Sequence, residues 1–315
     1  MIRLGITMGD PAGVGPEIVP RALAGLREKD VGSVVFGDSE LLARRAAGQG
    51  LDPPADIRQV GCLDEDQLQV GRFSKTGGLA QGAYLRAAAD ALDEGEVDAL
   101  VTAPIHKRAL NVCGMTGPGH TEWLTERFGA GRSVMLLAGP KIKVALATRH
   151  LSLAEVPGAL STADLVETVV VANAEMKKYF FPRGPRLAIA ALNPHGEVNG
   201  ETGREETEII LPAIHKLQDE GLDVTGPIAG DTVFHLALVG KFDAVIAMYH
   251  DQGLAPLKTL HFAEAVNVTL GLGVVRTSPD HGVAYDIAGE YLADATSMLE
   301  ACRVAIEMVK KERGG

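Results

Sequence analysis

The sequence predicts an α/β protein built on a mostly parallel sheet with helices over both faces. Three observations carry this. Short Val/Ile/Leu/Ala runs recur at 2–8, 31–36, 98–103, 186–192 and 243–248. They are short and Val/Ile/Leu-rich, as strands are when both sheet faces are covered. Segments of helical pattern lie between them, the rhythm of a parallel sheet. Polar and glycine-rich stretches follow the runs, where the strands of such a sheet end and bind ligands. The 315 residues correspond to about two domains and can bury a core without staples.

The elements follow in order. Residues 2–8 form a first strand and 9–15 a glycine and proline turn. A helix over 17–26 comes next, with Pro16 at its first position. A second strand at 31–36 leads through Gly37-Asp38-Ser39 into a Leu/Ala/Arg helix. Residues 48–78 are irregular and read as an edge hairpin or loops. The alanine-rich stretch 79–93 is a helix, and 98–103 a strand stopped by Pro104. Residues 111–120 form a loop and 121–128 a short helix. Strands at 134–138 and 143–148 precede a long helix at 160–178. A strand at 186–192, a helix at 209–220, strands at 243–248 and 266–270, and a largely helical 287–311 complete the chain.

Lys and Arg number 30 and Asp and Glu 41, so the net charge of −11 argues against a nucleic-acid surface. No apolar stretch approaches the ~20 residues of a membrane helix, and the N-terminus reads as a strand rather than a signal peptide. A cytoplasmic protein with no nucleic-acid or membrane partner is expected. Cys62, Cys113 and Cys302 fit neither a zinc knuckle nor a disulfide framework and read as small buried hydrophobes.

The chemistry concentrates at strand ends. His150, His195 and His250 each directly follow an apolar strand, in VALATRH, LAIAALNPH and DAVIAMYH. Neutral imidazoles suit Zn²⁺, Co²⁺ or Fe²⁺, and an open fourth position lets the ion act as a Lewis acid. A hydrogen-bonded strand-end histidine is the ordinary alternative for each. Asp251 is a second partner of the site or a helix cap. The polar stretch NPHGEVNGETGREE suits a binding loop, or an exposed Ω-loop. TMGDPAGVGPE matches neither GxGxxG nor a P-loop, so no Rossmann fingerprint is present. Its backbone N–H groups can meet an anion, and a structural turn explains it equally well. In GPGHTE, His120 and Thr121 sit at a helix start, with Thr121 as N-cap, and can hold phosphate. Lys258, Asn267 and Arg276 add cationic and polar groups, which hint at an anionic substrate, although surface charges are the commoner reading. In 276–289, RTSPDHGVAYDIAG, Asp280 or Ser278, Gly282 and the segment 284–287 can wrap a nucleotide, and His281 is a weaker metal candidate because no long strand immediately precedes it.

Taken together, TMGDPAGVGPE, APIHK, GPGHTE, ATRHLSL, ALNPHGE, GDTVF, YHDQGLAPLK, VNVTLGL and RTSPDHG resemble the 4-hydroxythreonine-4-phosphate dehydrogenase family of vitamin B6 synthesis, nearly end to end. The resemblance implies an isocitrate/isopropylmalate dehydrogenase-like fold, with αβα layers around a central cleft. It implies a discontinuous first domain, 1–130 plus 271–315, and a second domain, 131–270, carrying the metal-ligand histidines. It implies a homodimer with active sites shared across the interface. The metal ligands carry over to His150, His195 and His250, with Zn²⁺, Mg²⁺, Mn²⁺ or Co²⁺ as the ion. Substrate contacts carry over to His120, Thr121, Lys258, Asn267 and Arg276. Asp231 matches a catalytic-site aspartate, and Asp231 or Lys258 takes or relays the proton. Asp280, His281, Gly282, Ala284 and Asp286 match the NAD(P)⁺ loop.

The implied reaction oxidises 4-phosphooxy-L-threonine to 2-amino-3-oxo-4-(phosphooxy)butanoate, which decarboxylates to 3-amino-2-oxopropyl phosphate. The chain departs from the family pattern at His106, where asparagine is expected, at Val283, and in a shortened NPH-GE spacing. Rival readings are a dehydrogenase of 4-phospho-D-threonate or 4-phospho-D-erythronate, a dihydrodiol carboxylate dehydrogenase, and a non-enzymatic metabolite-binding protein.

Overall fold

A computed structural model describes residues 1–61, 63–115, 119–129, 131–197 and 201–314, so Cys62 lies outside the described residues. The chain runs β1 (Ile2–Thr7), α1 (Gly15–Gly25), β2 (Val31–Gly37), α2 (Ser39–Ala47), β3 (Ile57–Gln59), α3 (Lys75–Asp93), β4 (Ala99–Thr102), α4 (Lys107–Val112) and α5 (His120–Arg127). It continues through β5 (Val134–Ala138), β6 (Lys143–Leu146), α6 (Val156–Ala159), α7 (Thr162–Tyr179), β7 (Leu187–Ala190), α8 (Leu211–Asp219), β8 (Val224–Ile228), α9 (Gly230–Leu238), β9 (Ala244–Ala247), α10 (His250–His261) and β10 (Val266–Leu270). It ends with β11 (Val275–Pro279) and α11 (Thr296–Glu312). The backbone divides into two compact units, Met1–Gly129 with Val274–Gly315, and Ala130–Gly273.

In the first unit the strand order is β3-β2-β1-β4-β11. The neighbours pair parallel, with Val35 beside Ile57, Ile2 beside Val31, Leu4 beside Ala99 and Val275 beside Ala99. All of β4 is buried, as expected of a strand covered on both faces. α3 packs on β1, β2 and β4, while α11 packs on β11, β4 and β1 and against α1.

Two expectations need correction here. The irregular stretch ends in a single parallel edge strand, β3, not a hairpin. It also gives way to α3 earlier than expected, because Ser74 caps Gly77 N–H at 3.0 Å and Gly77 packs closely under Pro11 and Leu68. The helical reading of 287–311 fails in its first part. Gly289 (φ +89°) and Tyr291 (φ +59°) are left-handed, and buried Glu17 accepts their N–H groups at 2.5 and 3.0 Å.

In the second unit the order is β10-β5-β6-β9-β7-β8. β6, β9, β7 and β8 run parallel, but β10–β5 and β5–β6 are antiparallel. The sheet is therefore mixed. A tight turn at Gly139-Pro140-Lys141-Ile142, closed by Gly139 N–H to Ile142 O at 3.0 Å, folds β5 back on β6. β8 escaped the sequence reading because Gly226 and Pro227 interrupt it. Proline is tolerated there because β8 is an edge. Leu137, Val144, Val245, Ala188, Val233 and Leu257 belong to one core cluster under α9 and α10.

Candidate active site

The chemistry of the second unit lies at the carboxyl ends of its four parallel strands, where α/β sheets bind ligands. A cavity of about 620 Å³ opens there, lined among others by His195, Asp231, Phe234, Tyr249, Asp251 and Gln252. β7 runs into Asn193-Pro194-His195, where His195 adopts φ +65°, an uncommon conformation for a residue with a Cβ. Fully buried Glu206 fixes this turn. Its carboxylate accepts Leu192 N–H, Asn193 N–H and Asn193 Nδ2–H, each at 2.8 Å. β8 runs into α9 and puts Asp231 in the first turn, where the helix dipole favours a carboxylate. β9 runs through extended Tyr249 into α10, with His250 and Asp251 in its first turn. β6 runs through Thr148, whose hydroxyl donates to Met248 O at 2.7 Å, toward His150.

The rings of His150 and His250 lie 5.4 Å apart between centroids. Two imidazoles sharing a tetrahedral ion at Zn–N distances of about 2.0–2.1 Å have centroids ~5 Å apart. Asp251 Oδ1 lies 2.7 Å from His250 Nδ1, so Nε2 is the ring atom that would face an ion. That is how carboxylates orient metal-ligating histidines. The helix cap is Tyr249 without a side-chain bond, so the cap alternative for Asp251 fails. Donor type and this ring pair fit a divalent ion. Among the described residues, no three His, Cys, Asp or Glu side chains already converge as a metal site. The structure thus pairs two of the three histidines and sets the third on the wall of the cavity. Lys258, on α10, is half-buried, and Asn267, on β10, has a buried Oδ1 with no hydrogen-bond partner among the described residues.

A second cluster forms in the first unit. Arg276, on β11, is 2% exposed rather than a surface charge. Its Nη2 donates to Thr102 Oγ1 at 2.7 Å and lies 3.4 Å from His120 Nδ1. Burial pushes the guanidinium down to about 10, which leaves it charged at neutral pH. Burial, and then Arg276, hold the His120 imidazole well below its ordinary value, so it is neutral. A guanidinium cannot accept, so His120 Nδ1 must be the acceptor and Nε2 carries the proton. Nε2 is buried with no partner among the described residues, a donor set for an oxygen anion. Thr121 is buried beside it, but Gly119 is the N-cap, so the reading of Thr121 as cap is corrected.

The 280–286 loop lies at the end of β11. Asp280 N–H donates to Ser297 Oγ at 3.0 Å, His281 Nδ1 lies 3.0 Å from Gly282 O, and Ala284 has φ +44°. His281, Gly282 and Asp286 are exposed. The glycine-rich turn after β1 holds this loop. Val14 N–H donates to Val283 O at 3.0 Å, and Tyr285 Oη–H donates to Asp10 Oδ2. The His106 ring stacks on Tyr285 with centroids 5.6 Å apart. The N–H groups of Asp10, Ala12, Gly13 and Val14 are all spent on protein acceptors, so these four bind no anion. Sequence reasoning missed Glu206, Gln252, Asp10 and Tyr285 as organisers of these clusters. The signal available for all four was an ionisable or amide side chain inside a quoted stretch.

Fold and clusters together define an α/β protein with a histidine- and carboxylate-lined cavity at parallel strand ends. The family model described as pyridoxal phosphate biosynthetic protein PdxA matches residues 29–305. A 4-hydroxythreonine-4-phosphate dehydrogenase of Geobacter metallireducens is 44% identical, over 99% of this chain and 97% of its own. The crystal structure of that enzyme from Klebsiella pneumoniae superposes with a TM-score of 0.86 at 35% identity, covering 98% of this chain and 100% of its own. One from Burkholderia phymatum has a TM-score of 0.79 at 38% identity, covering 98% of each chain. This chain belongs to the PdxA family.

Proposed function

We propose that this chain oxidises 4-phosphooxy-L-threonine with NAD(P)⁺ in pyridoxal phosphate synthesis. The observation that carries the reading is end-to-end similarity to relatives of that name, and the chemistry of both clusters supports it. His120 Nε2–H, the Thr121 hydroxyl and the Arg276 guanidinium are donors for the phosphate and carboxylate oxygens, with Lys258 and Asn267 completing the set. Such contacts on non-reacting groups orient the secondary hydroxyl. His150, His195 and His250 would hold one divalent ion (Zn²⁺, Mg²⁺, Mn²⁺ or Co²⁺), which supplies Lewis acidity at the hydroxyl oxygen. Asp231 or Lys258 accepts the hydroxyl proton as the carbon-bound hydrogen leaves with its electron pair for the nicotinamide. The β-keto acid then breaks its C–carboxylate bond. CO₂ leaves, the electron pair forms an enol, and a proton returns to the same carbon.

The loop Asp280, His281, Gly282, Ala284 and Asp286 would carry the dinucleotide. Its exposed polar residues and its anchoring from beneath support this role. The reading extends to an isocitrate/isopropylmalate dehydrogenase-like architecture, with 1–130 plus 271–315 as the cofactor-loop domain and 131–270 as the metal domain. It also extends to a homodimer with shared active sites. Two variants test the site. His195→Ala is expected to lose both divalent-ion affinity and turnover, and Arg276→Ala to raise KM for the phosphorylated substrate. Normal turnover in the first, or unchanged KM and kcat in the second, removes that residue from the site.

A further inference from the structure

The geometry points to Gln252 as the positioning residue that registers the strand ends carrying His195 and His250. This rests on the metal reading above. The β7–β9 ladder runs to Ile189 beside Ile246. Two residues further along each strand, no direct bond continues it. Instead the Gln252 side-chain amide stands between them. Its Oε1 accepts Met248 N–H at 2.6 Å and its Nε2 donates to Ala191 O at 2.6 Å.

The row is continuous on both sides. Thr148 N–H donates to Met248 O at 3.2 Å, and Ala191 N–H to Ile228 O at 2.8 Å. One amide therefore closes a hydrogen-bonded row across the ends of β6, β9, β7 and β8. His150 and His250 lie two residues beyond this row, at 148 and 248, and His195 four beyond 191. Glu206 then fixes the turn between Ala191 and His195 through its three 2.8 Å bonds. A side-chain amide is one of the few groups that offers a donor and an acceptor at once. A direct ladder bond would instead draw β7 and β9 together where Gln252 now lines the cavity.

Gln252→Glu is isosteric. It keeps the acceptor for Met248 N–H but turns an oxygen toward Ala191 O. Gln252→Ala removes both bonds and leaves space for water, so it carries the test if the first variant does not fold. Calorimetric titration with Co²⁺ is compared for wild type, both variants and His195→Ala, with melting temperatures measured alongside. The expected result is Co²⁺ affinity roughly tenfold or more weaker in the folded Gln252 variants, the range seen when outer-shell partners of metal ligands are removed. KM for NAD(P)⁺ stays unchanged, a split that general loosening would not give. Affinity within about twofold of wild type in a folded Gln252 variant, with loss in His195→Ala, overturns this inference alone. Absence of binding by wild type, or full binding by His195→Ala, overturns the metal reading and this inference together.

Discussion

At the scale of single residues, protonation decides what His120 can do. Its Nδ1 faces a guanidinium that only donates, so the neutral ring presents Nε2–H as the free donor. Its value is lowered in the folded chain, so the unfolded chain binds more protons below the ordinary histidine value of about 6.5. His120 therefore costs stability as pH falls from that value toward the folded one, and costs nothing above it. Melting curves from about pH 7.5 to about pH 5.5 should show wild type losing more stability than His120→Asn. Equal losses contradict a buried neutral His120. Asp251→Asn makes the complementary case in the other unit. It keeps a partner near His250 Nδ1 but removes the charge, and Co²⁺ affinity should fall roughly tenfold. Unchanged affinity would mean that Asp251 does not orient His250.

At the scale of elements, the turn after β1 and the helix α1 act as the seat of the 280–295 segment. Asp10 takes the Tyr285 hydroxyl, Glu17 takes two backbone N–H groups, and Arg21 donates to Ala293 O and Tyr291 O at 2.6 and 3.0 Å. Burial raises the Asp10 carboxyl against these bonds, so it depends on the donors it has. Tyr285→Phe removes one of them and should cost about 1–3 kcal/mol in denaturant unfolding, with a higher KM for NAD(P)⁺. An unaltered KM would separate this seat from the cofactor. This division explains what could be read from sequence. Strands such as β7 and β9 were legible because each is apolar at every position. His150, His195 and His250 were legible because they sit directly past such strands. The role of the glycine-rich turn was not legible, because its partners Val283 and Tyr285 lie more than 260 residues away in the chain. Helix 287–295 was over-read because its local pattern says nothing of Glu17 capturing its N–H groups. Gln252 was missed because its function lies in two backbone atoms, Met248 N and Ala191 O, which no side-chain motif reports.

At the scale of the whole molecule, the chain carries −11 of net charge yet buries a guanidinium against neutral acceptors, Thr102 Oγ1 and His120 Nδ1, which suits an anionic metabolite. The three strand-end histidines, His150, His195 and His250, belong to one compact unit and the 280–286 loop to the other. Chelation should therefore abolish turnover while leaving NADH binding, read by fluorescence titration, unaltered. Loss of both would tie the loop to the ion. The central claim is tested most directly by initial rates of NAD(P)H formation on chelated enzyme, with and without restored Zn²⁺ or Mg²⁺. The substrates compared are 4-phosphooxy-L-threonine, 4-phospho-D-threonate and 4-phospho-D-erythronate. The account predicts ion-dependent turnover with the highest kcat/KM on 4-phosphooxy-L-threonine. A preference for either phospho sugar acid, or undiminished rates without a divalent ion, would contradict it.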